Sequence, residues 1–289
     1  MILTYVQELR ICNVRLTNGL RRIFDPLAPL AGLALSALSV SRTRRNRHKM
    51  PNSLFSFNFR LGPWEGCLNL NFDQEELAPG FQVVCTRDQL SILWAGDPQQ
   101  NETARATAYT LARALVHADA FVSYPGGIVL DVEPVTWLEV REHVPKGVVS
   151  GYMHQTLANV PLDPNHPDKA RLRSAAALVR QVQLFPALQL ALGDFYTARR
   201  EIGPYSAFYA FRVLEDVGFH FGVTNQDKPD WNAMNTKLGT TEAKWKPLTS
   251  AGTAARHLSV QKLSGLQTIN VHDLLDLARE SVELALKTL

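Results

Sequence analysis

Between Leu54 and Trp94 the apolar residues fall at every second position. Phe55, Phe57, Phe59 and Leu61 alternate with Ser56, Asn58 and Arg60, the pattern of a strand with one buried face. After Gly62-Pro63-Trp64-Glu65-Gly66 the alternation resumes with Leu68, Leu70 and Phe72 against Asn69 and Asn71, which predicts a hairpin with the first strand. Phe81 to Thr86 and Leu90 to Trp94, separated by Arg87-Asp88-Gln89, predict a second antiparallel pair with a tight connection. The period then becomes helical. Ala104, Ala108, Leu111, Leu115, Ala118 and Val122 share one face, while Glu102, Arg105 and Arg113 lie elsewhere, so this helix is expected to cover one face of the sheet. Tyr124-Pro125-Gly126-Gly127 stops it. Ile128 to Val140 reads as further strand, with Pro134 dividing it or marking an edge.

From residue 145 to 168 no period is sustained, and Pro145, Pro161, Pro164 and Pro167 mark a linker or long loop. Beyond it the pattern is helical almost throughout. Arg171 to Leu184 is one helix, which Pro186 ends or kinks before a continuation to about Arg199. Tyr205 to Phe221 is apolar on most of its circumference and belongs in the centre of a bundle. Its polar stripe is Arg212 with Glu215 and Asp216, spaced to pair along one face. A short helix starts with Asp230 as N-cap and ends by Gly239, another spans about Thr241 to Ser259, and the last is capped by Asn270. That last helix turns Val271, Leu274, Leu275, Ala278, Val282, Ala285 and Leu289 inward. The expected fold is α+β: a small antiparallel sheet with one covering helix over 50–144, followed by an all-α helical bundle over 169–289.

Charge divides this picture further. The chain of 289 residues carries a formal charge of +3, but residues 1–49 alone sum to +7 and the remainder to −4. The first 49 residues therefore read as a basic, disordered arm, with Met50 opening the folded part. Arg42, Arg44, Arg45 and Arg47, with Lys49, give the arm a means of binding nucleic acid or anionic lipid, whereas a basic run is more often simply solvated. The apolar stretch 24–40 contains Asp25, Pro26 and Pro29 and is too short for a membrane span, which needs about 20 apolar residues. Three cysteines, Cys12, Cys67 and Cys85, contain no C-x-x-C pair. They suggest reduced thiols and a cytoplasmic chain, without a disulfide or zinc framework.

Candidate chemistry is sparse. No P-loop, nucleophile-elbow, zincin or EF-hand motif occurs. His154, Asp163, His166 and Asp168 lie in the proline-rich segment without the fixed-face spacing of a helical metal site. No metal and no cofactor is expected.

The run Tyr205-Ser206-Ala207-Phe208-Tyr209-Ala210-Phe211-Arg212-Val213-Leu214-Glu215, the short helix Trp231-Asn232-Ala233-Met234-Asn235 and then Ala254-Ala255-Arg256-His257 together resemble the HEPN-type helical domains of bacterial toxin, abortive-infection and uncharacterised proteins, over roughly residues 200–289. The resemblance implies an endoribonuclease of a toxin or phage-defence system, or a non-catalytic interaction module, with a homodimer formed through the helical domain. The family's nucleases carry an arginine followed after four to six residues by a histidine. After Arg256 the only nearby histidine is the adjacent His257, and the only pair so spaced is Arg42 and His48 in the arm.

Arg256 and His257 are thus the catalytic candidates for metal-independent RNA cleavage, which needs an acid or base and a cation on the developing charge. Adjacent helical residues point about 100° apart, however, and the competing expectation is that Arg256 pairs with an acid such as Glu215 while His257 caps or packs. Arg212 and Glu215 are the binding candidates of the helical half. The function expected is that of a binding or interaction module with a protein or RNA partner, with the ribonuclease as the alternative.

Overall fold

The computed structural model describes residues 53–62, 70–87, 89–126, 129–138, 167–257 and 270–289. The strands are β1 (Ser53–Gly62), β2 (Leu70–Ala78), β3 (Phe81–Arg87), β4 (Gln89–Gly96) and β5 (Asp131–Leu138). The helices are α1 (Asn101–Val122), α2 (Pro167–Val182), α3 (Pro186–Arg200), α4 (Pro204–Phe221), α5 (Trp231–Leu238), α6 (Glu242–His257) and α7 (Val271–Leu286). A small antiparallel sheet and a mostly helical C-terminal region make the fold α+β. Among the described residues no helix is long and apolar enough to cross a membrane. The basic arm and His154, Asp163 and His166 of the proline-rich segment lie outside the described residues, and Asp168 falls in the first turn of α2.

The sheet order is β2-β3-β4-β1-β5, antiparallel throughout. The expected hairpin between β1 and β2 does not form. The tight turn at Pro79–Gly80, where Gly80 has φ +79°, instead joins β2 to β3, and β3 pairs next with β4. Those three strands make a meander, which leaves β1 to pair on the far side of β4. Alternation marks a strand's buried face but carries no information about its partner. Register then builds the core from three cross-strand rows: Phe55, Trp94 and Phe81; Phe57, Ile92 and Val83; Phe59, Leu90 and Cys85. In the first row the Trp94 ring lies 5.2 Å from Phe55 and 6.2 Å from Phe81. Pro134 sits on β5 at the edge of the sheet, beside an irregularity in register at Asn58 and Phe59, as a residue with no N–H requires.

Helix α1 buries Ala104, Ala108, Leu111, Leu115 and Ala118 and packs on β1, β4 and β5, while α2 reaches β2. Pro186 starts α3 instead of kinking one long helix, in keeping with its preference for the first helical turn. Helix α4 packs against α3, α5, α6 and α7 and is the centre of the helical layer. The caps are those anticipated: Asp230 accepts from the backbone N–H groups of Asn232 and Ala233, Gly239 ends α5 in the left-handed region, and Asn270 accepts from the backbone N–H of His272. Leu289, expected inward, lies beyond α7 and is 46% exposed.

Among the described residues the sheet and the helices share one core. Residues 50–289 form one compact unit, and one hydrophobic cluster runs from Phe55 on β1 to Ala285 on α7. The reason is that α1 has apolar residues to offer on both sides. Phe121 at its end meets the α3 residue Phe195 edge-on at 5.2 Å, and α1 also packs on α2.

A close approach fixes α6 on α4. A Cβ on Gly252 of α6 would lie 2.2 Å from the Cβ of Phe211 on α4, an atom that no rotamer change can move. Gly252→Ala is therefore expected to destabilise the protein by about 1–3 kcal/mol through overpacking, despite alanine's better helix propensity. Urea unfolding measures it, and a variant as stable as the parent would show that α6 can shift away from α4.

Candidate functional site

Two polar clusters interrupt this core. The first surrounds a cavity of about 320 Å³ lined by Tyr109, Arg113, Val116 and His117 of α1, Val132 and Asp131 of β5, and Tyr196 and Arg200 of α3. The spacing explains the convergence. Tyr109, Arg113 and His117 recur every four residues, which places them on one stripe of α1, and Tyr196 and Arg200 do the same on α3. Asp131 opens β5, the edge strand between the two helices.

Three of these groups form a closed network. Asp131 Oδ1 accepts from the Val132 backbone N–H at 2.9 Å and from the Tyr196 hydroxyl at 3.2 Å. Its Oδ2 accepts from Arg200 Nη1 at 2.8 Å, and the same nitrogen reaches the Tyr196 oxygen at 2.6 Å. Burial raises the Tyr196 hydroxyl above its ordinary value and keeps it protonated.

The other polar groups are not spent in this way. His117 stacks on the Tyr196 ring with centroids 4.8 Å apart, but neither ring nitrogen has a hydrogen-bond partner among the described residues. Burial, and then the neighbouring Arg113 charge, lower its pKa to about 4, so the imidazole is neutral at pH 7. Arg113 makes no ion pair or hydrogen bond among the described residues, and its guanidinium lies 6.0 Å from the Tyr109 ring centre. Gly193 makes the room for His117: a Cβ there would stand 3.3 Å from Nδ1.

The second cluster joins α3, α4 and α6 and holds the candidates named from sequence. Arg212 does not pair along its own helix; its Nε donates to Asp194 of α3 at 3.1 Å. Glu215 is taken by Arg256, whose Nη2 donates to both carboxylate oxygens at 3.2 and 3.0 Å. The Arg256 guanidinium also lies over the rings of Phe211 and Phe208, at 5.3 and 5.9 Å. The ion pair expected of Arg256 is therefore present. His257 is the last residue of α6, and its side chain, like Arg42, Arg44, Arg45 and Arg47, lies outside the described residues.

Asp216 is 3% exposed, and as a carboxylate its Oδ2 would have no donor. Burial first, and then the Asp194 charge, push its pKa up to about 9, so it keeps its proton and hydrogen-bonds the Asp194 side chain. Among the described residues no group of three or more histidine, cysteine or acidic residues is placed to hold a metal.

The sequence pattern does not single out the cavity residues; it sets Arg113 only off the apolar stripe of α1, and the structure leaves it exposed there. The available signals are the four-residue spacing on α1 and α3 and the glycine inside α3, since mid-helix glycine costs about 1 kcal/mol relative to alanine and marks a close approach.

Asp216 and His117 give stability opposite dependences on pH. The folded chain holds Asp216 protonated up to about pH 9, whereas the unfolded chain loses that proton near pH 4; this contribution is full below about pH 4 and is lost as pH rises through 9. For His117 the folded value of about 4 lies below the unfolded 6.5, so its contribution is full above pH 6.5 and is lost as pH falls through 4. In thermal melts Asp216→Asn, which keeps a donor for Asp194, should flatten the alkaline limb. His117→Gln should flatten the acid limb. Limbs identical to those of the parent would refute both assignments.

Residues 175–278 match the family described as Domain of unknown function (DUF8168) C-terminal domain. No curated protein and no solved structure matches the chain. The matched segment contains the Asp194, Arg212, Glu215, Asp216 and Arg256 cluster and the α3 wall of the cavity, but neither α1 nor β5.

Proposed function

We propose that the protein works by binding, and that its ligand site is the cavity between α1, β5 and α3. The observation that carries this reading is the pairing of an assembled network with unspent groups. Tyr196, Asp131 and Arg200 hold one another in place, while His117 and Arg113, on the same wall, have no hydrogen-bond partner among the described residues. A concave site with a few convergent polar groups and a perturbed histidine is what a small-molecule site requires. Nitrogens that face such a cavity without a protein partner can bond a ligand directly. The ribonuclease reading draws no comparable support, because Arg256, the cation it needs, is already neutralised by Glu215.

The test follows the His117 imidazole by NMR during titration with a library of small polar compounds. A subset is expected to shift the ring resonances of the parent. The exposed substitution Arg113→Glu should abolish those shifts without changing the melting temperature. A library that leaves His117 untouched, or hits indifferent to Arg113→Glu, would overturn the reading. In the same preparation, Arg256→Ala is expected to lower the melting temperature through loss of the Glu215 pair and to leave the His117 responses unchanged.

A further inference from the structure

The cavity's charge, donors and size restrict what it can take. Arg113 and Arg200 bring two positive charges and Asp131 one negative. His117 is neutral, so the site has one uncompensated positive charge. A monoanion balances it, whereas a dianionic phosphate monoester would leave it negative. Arg113 offers a planar fork of N–H donors with no partner among the described residues, and a carboxylate is the planar acceptor that such a fork fits with two parallel hydrogen bonds.

A neutral imidazole presents one donor and one acceptor. The acceptor nitrogen cannot be satisfied by a carboxylate and calls for a hydroxyl or amide hydrogen on the ligand. Three rings, those of Tyr109, Tyr196 and His117, line the site, and the edges they leave uncovered give it apolar surface for a small flat ligand body. A volume of about 320 Å³ lies at the small end of the range for small-molecule sites, roughly 300–1,000 Å³.

We infer that the cavity binds a small, flat hydroxy-substituted monocarboxylate, its carboxylate on Arg113 and its hydroxyl on His117. This inference rests on the cavity being the ligand site, and the experiment separates the two claims. Calorimetric titration of the full chain uses 4-hydroxybenzoate as the probe. It is compared with 4-hydroxybenzamide, which lacks the charge, benzoate, which lacks the hydroxyl, and phenyl phosphate, which adds a second charge; His117 is monitored by NMR throughout.

The carboxylate is expected to bind about tenfold or more tightly than the amide, as loss of a charge-assisted hydrogen bond predicts. Arg113→Ala should erase that preference, and Arg113→Lys should restore only part of it. Benzoate should bind several-fold more weakly than 4-hydroxybenzoate to the parent and equally to His117→Phe. If the amide or phenyl phosphate binds as well as the carboxylate and shifts His117, the ligand class is wrong and the site stands. If none of the four probes shifts His117 while other library compounds do, the class again fails alone. If nothing shifts it, both claims fall. Gly193→Ala provides a second variant whose helix is not weakened: crowding of the imidazole should reduce 4-hydroxybenzoate affinity while the melting temperature is retained or raised.

Discussion

The end of α1 is where the fold is tied together. Asp119, fully buried on α1, accepts a two-pronged ion pair from Arg171 of α2. One residue on, the Ala120 carbonyl accepts from Arg199 of α3, which also reaches Ser123. The Tyr124 carbonyl accepts from Arg279 of α7, and the Tyr124 hydroxyl donates to the His272 carbonyl at the start of that helix. Cations are favoured at a helix C-terminus by its unsatisfied carbonyls and its dipole, and here three helices each send one arginine to the same place. Since α1 also packs on β1, β4 and β5, these arginines tie α2, α3 and α7 to the element that covers the sheet. Sheet and helices share a core because α1 belongs to both.

The position of the cavity follows from that arrangement. With its apolar stripe on the sheet and its C-terminal turn held by α2, α3 and α7, α1 has one further stripe, carrying Tyr109, Arg113 and His117. That stripe faces the seam beside β5, where Tyr196 and Arg200 of α3 meet Asp131. A seam between two elements anchored elsewhere can stay open without loss of packing. The polar groups lining it are held from behind: Asp131 by the Val132 amide and by Arg200, and His117 by the Tyr196 ring and the gap at Gly193.

What can be read from sequence is local. The alternation of β1, the α1 stripe, the caps at Asp230, Gly239 and Asn270, and the edge signal of Pro134 each depend on residues within a few positions of one another, and each is found in the structure. The partner of β1, the shared core and the cross-helix bond of Arg212 to Asp194 depend on contacts between distant segments. Arg212 illustrates the limit: acids at i+3 and i+4 make pairing along α4 a sound expectation, but Asp216 is buried in the core and keeps its proton, and Glu215 is claimed by Arg256. The cavity is not legible because its residues come from three separate elements, none of which alone carries a motif. Gly193 is its one local trace, and a lone glycine in a helical pattern has many meanings.

Asp119 and Asp216 are two answers to one problem, since an ionised carboxylate without a partner is among the most costly groups to bury. Asp119 is answered by a guanidinium fork; Asp216, whose neighbouring arginine is drawn off to the more exposed Asp194, is answered by a proton. The first answer needs α1 and α2 together, whereas the second is complete within α3 and α4. This difference bears on the family match at residues 175–278. That segment contains Asp194, Arg212, Glu215, Asp216 and Arg256, with α3 to α6 whole and α7 as far as Ala278. It supplies only Tyr196 and Arg200 to the cavity, whose remaining walls come from α1 and β5. The cavity therefore depends on α1 and β5 as well as on the matched segment, and it arises where the sheet is joined to the helices.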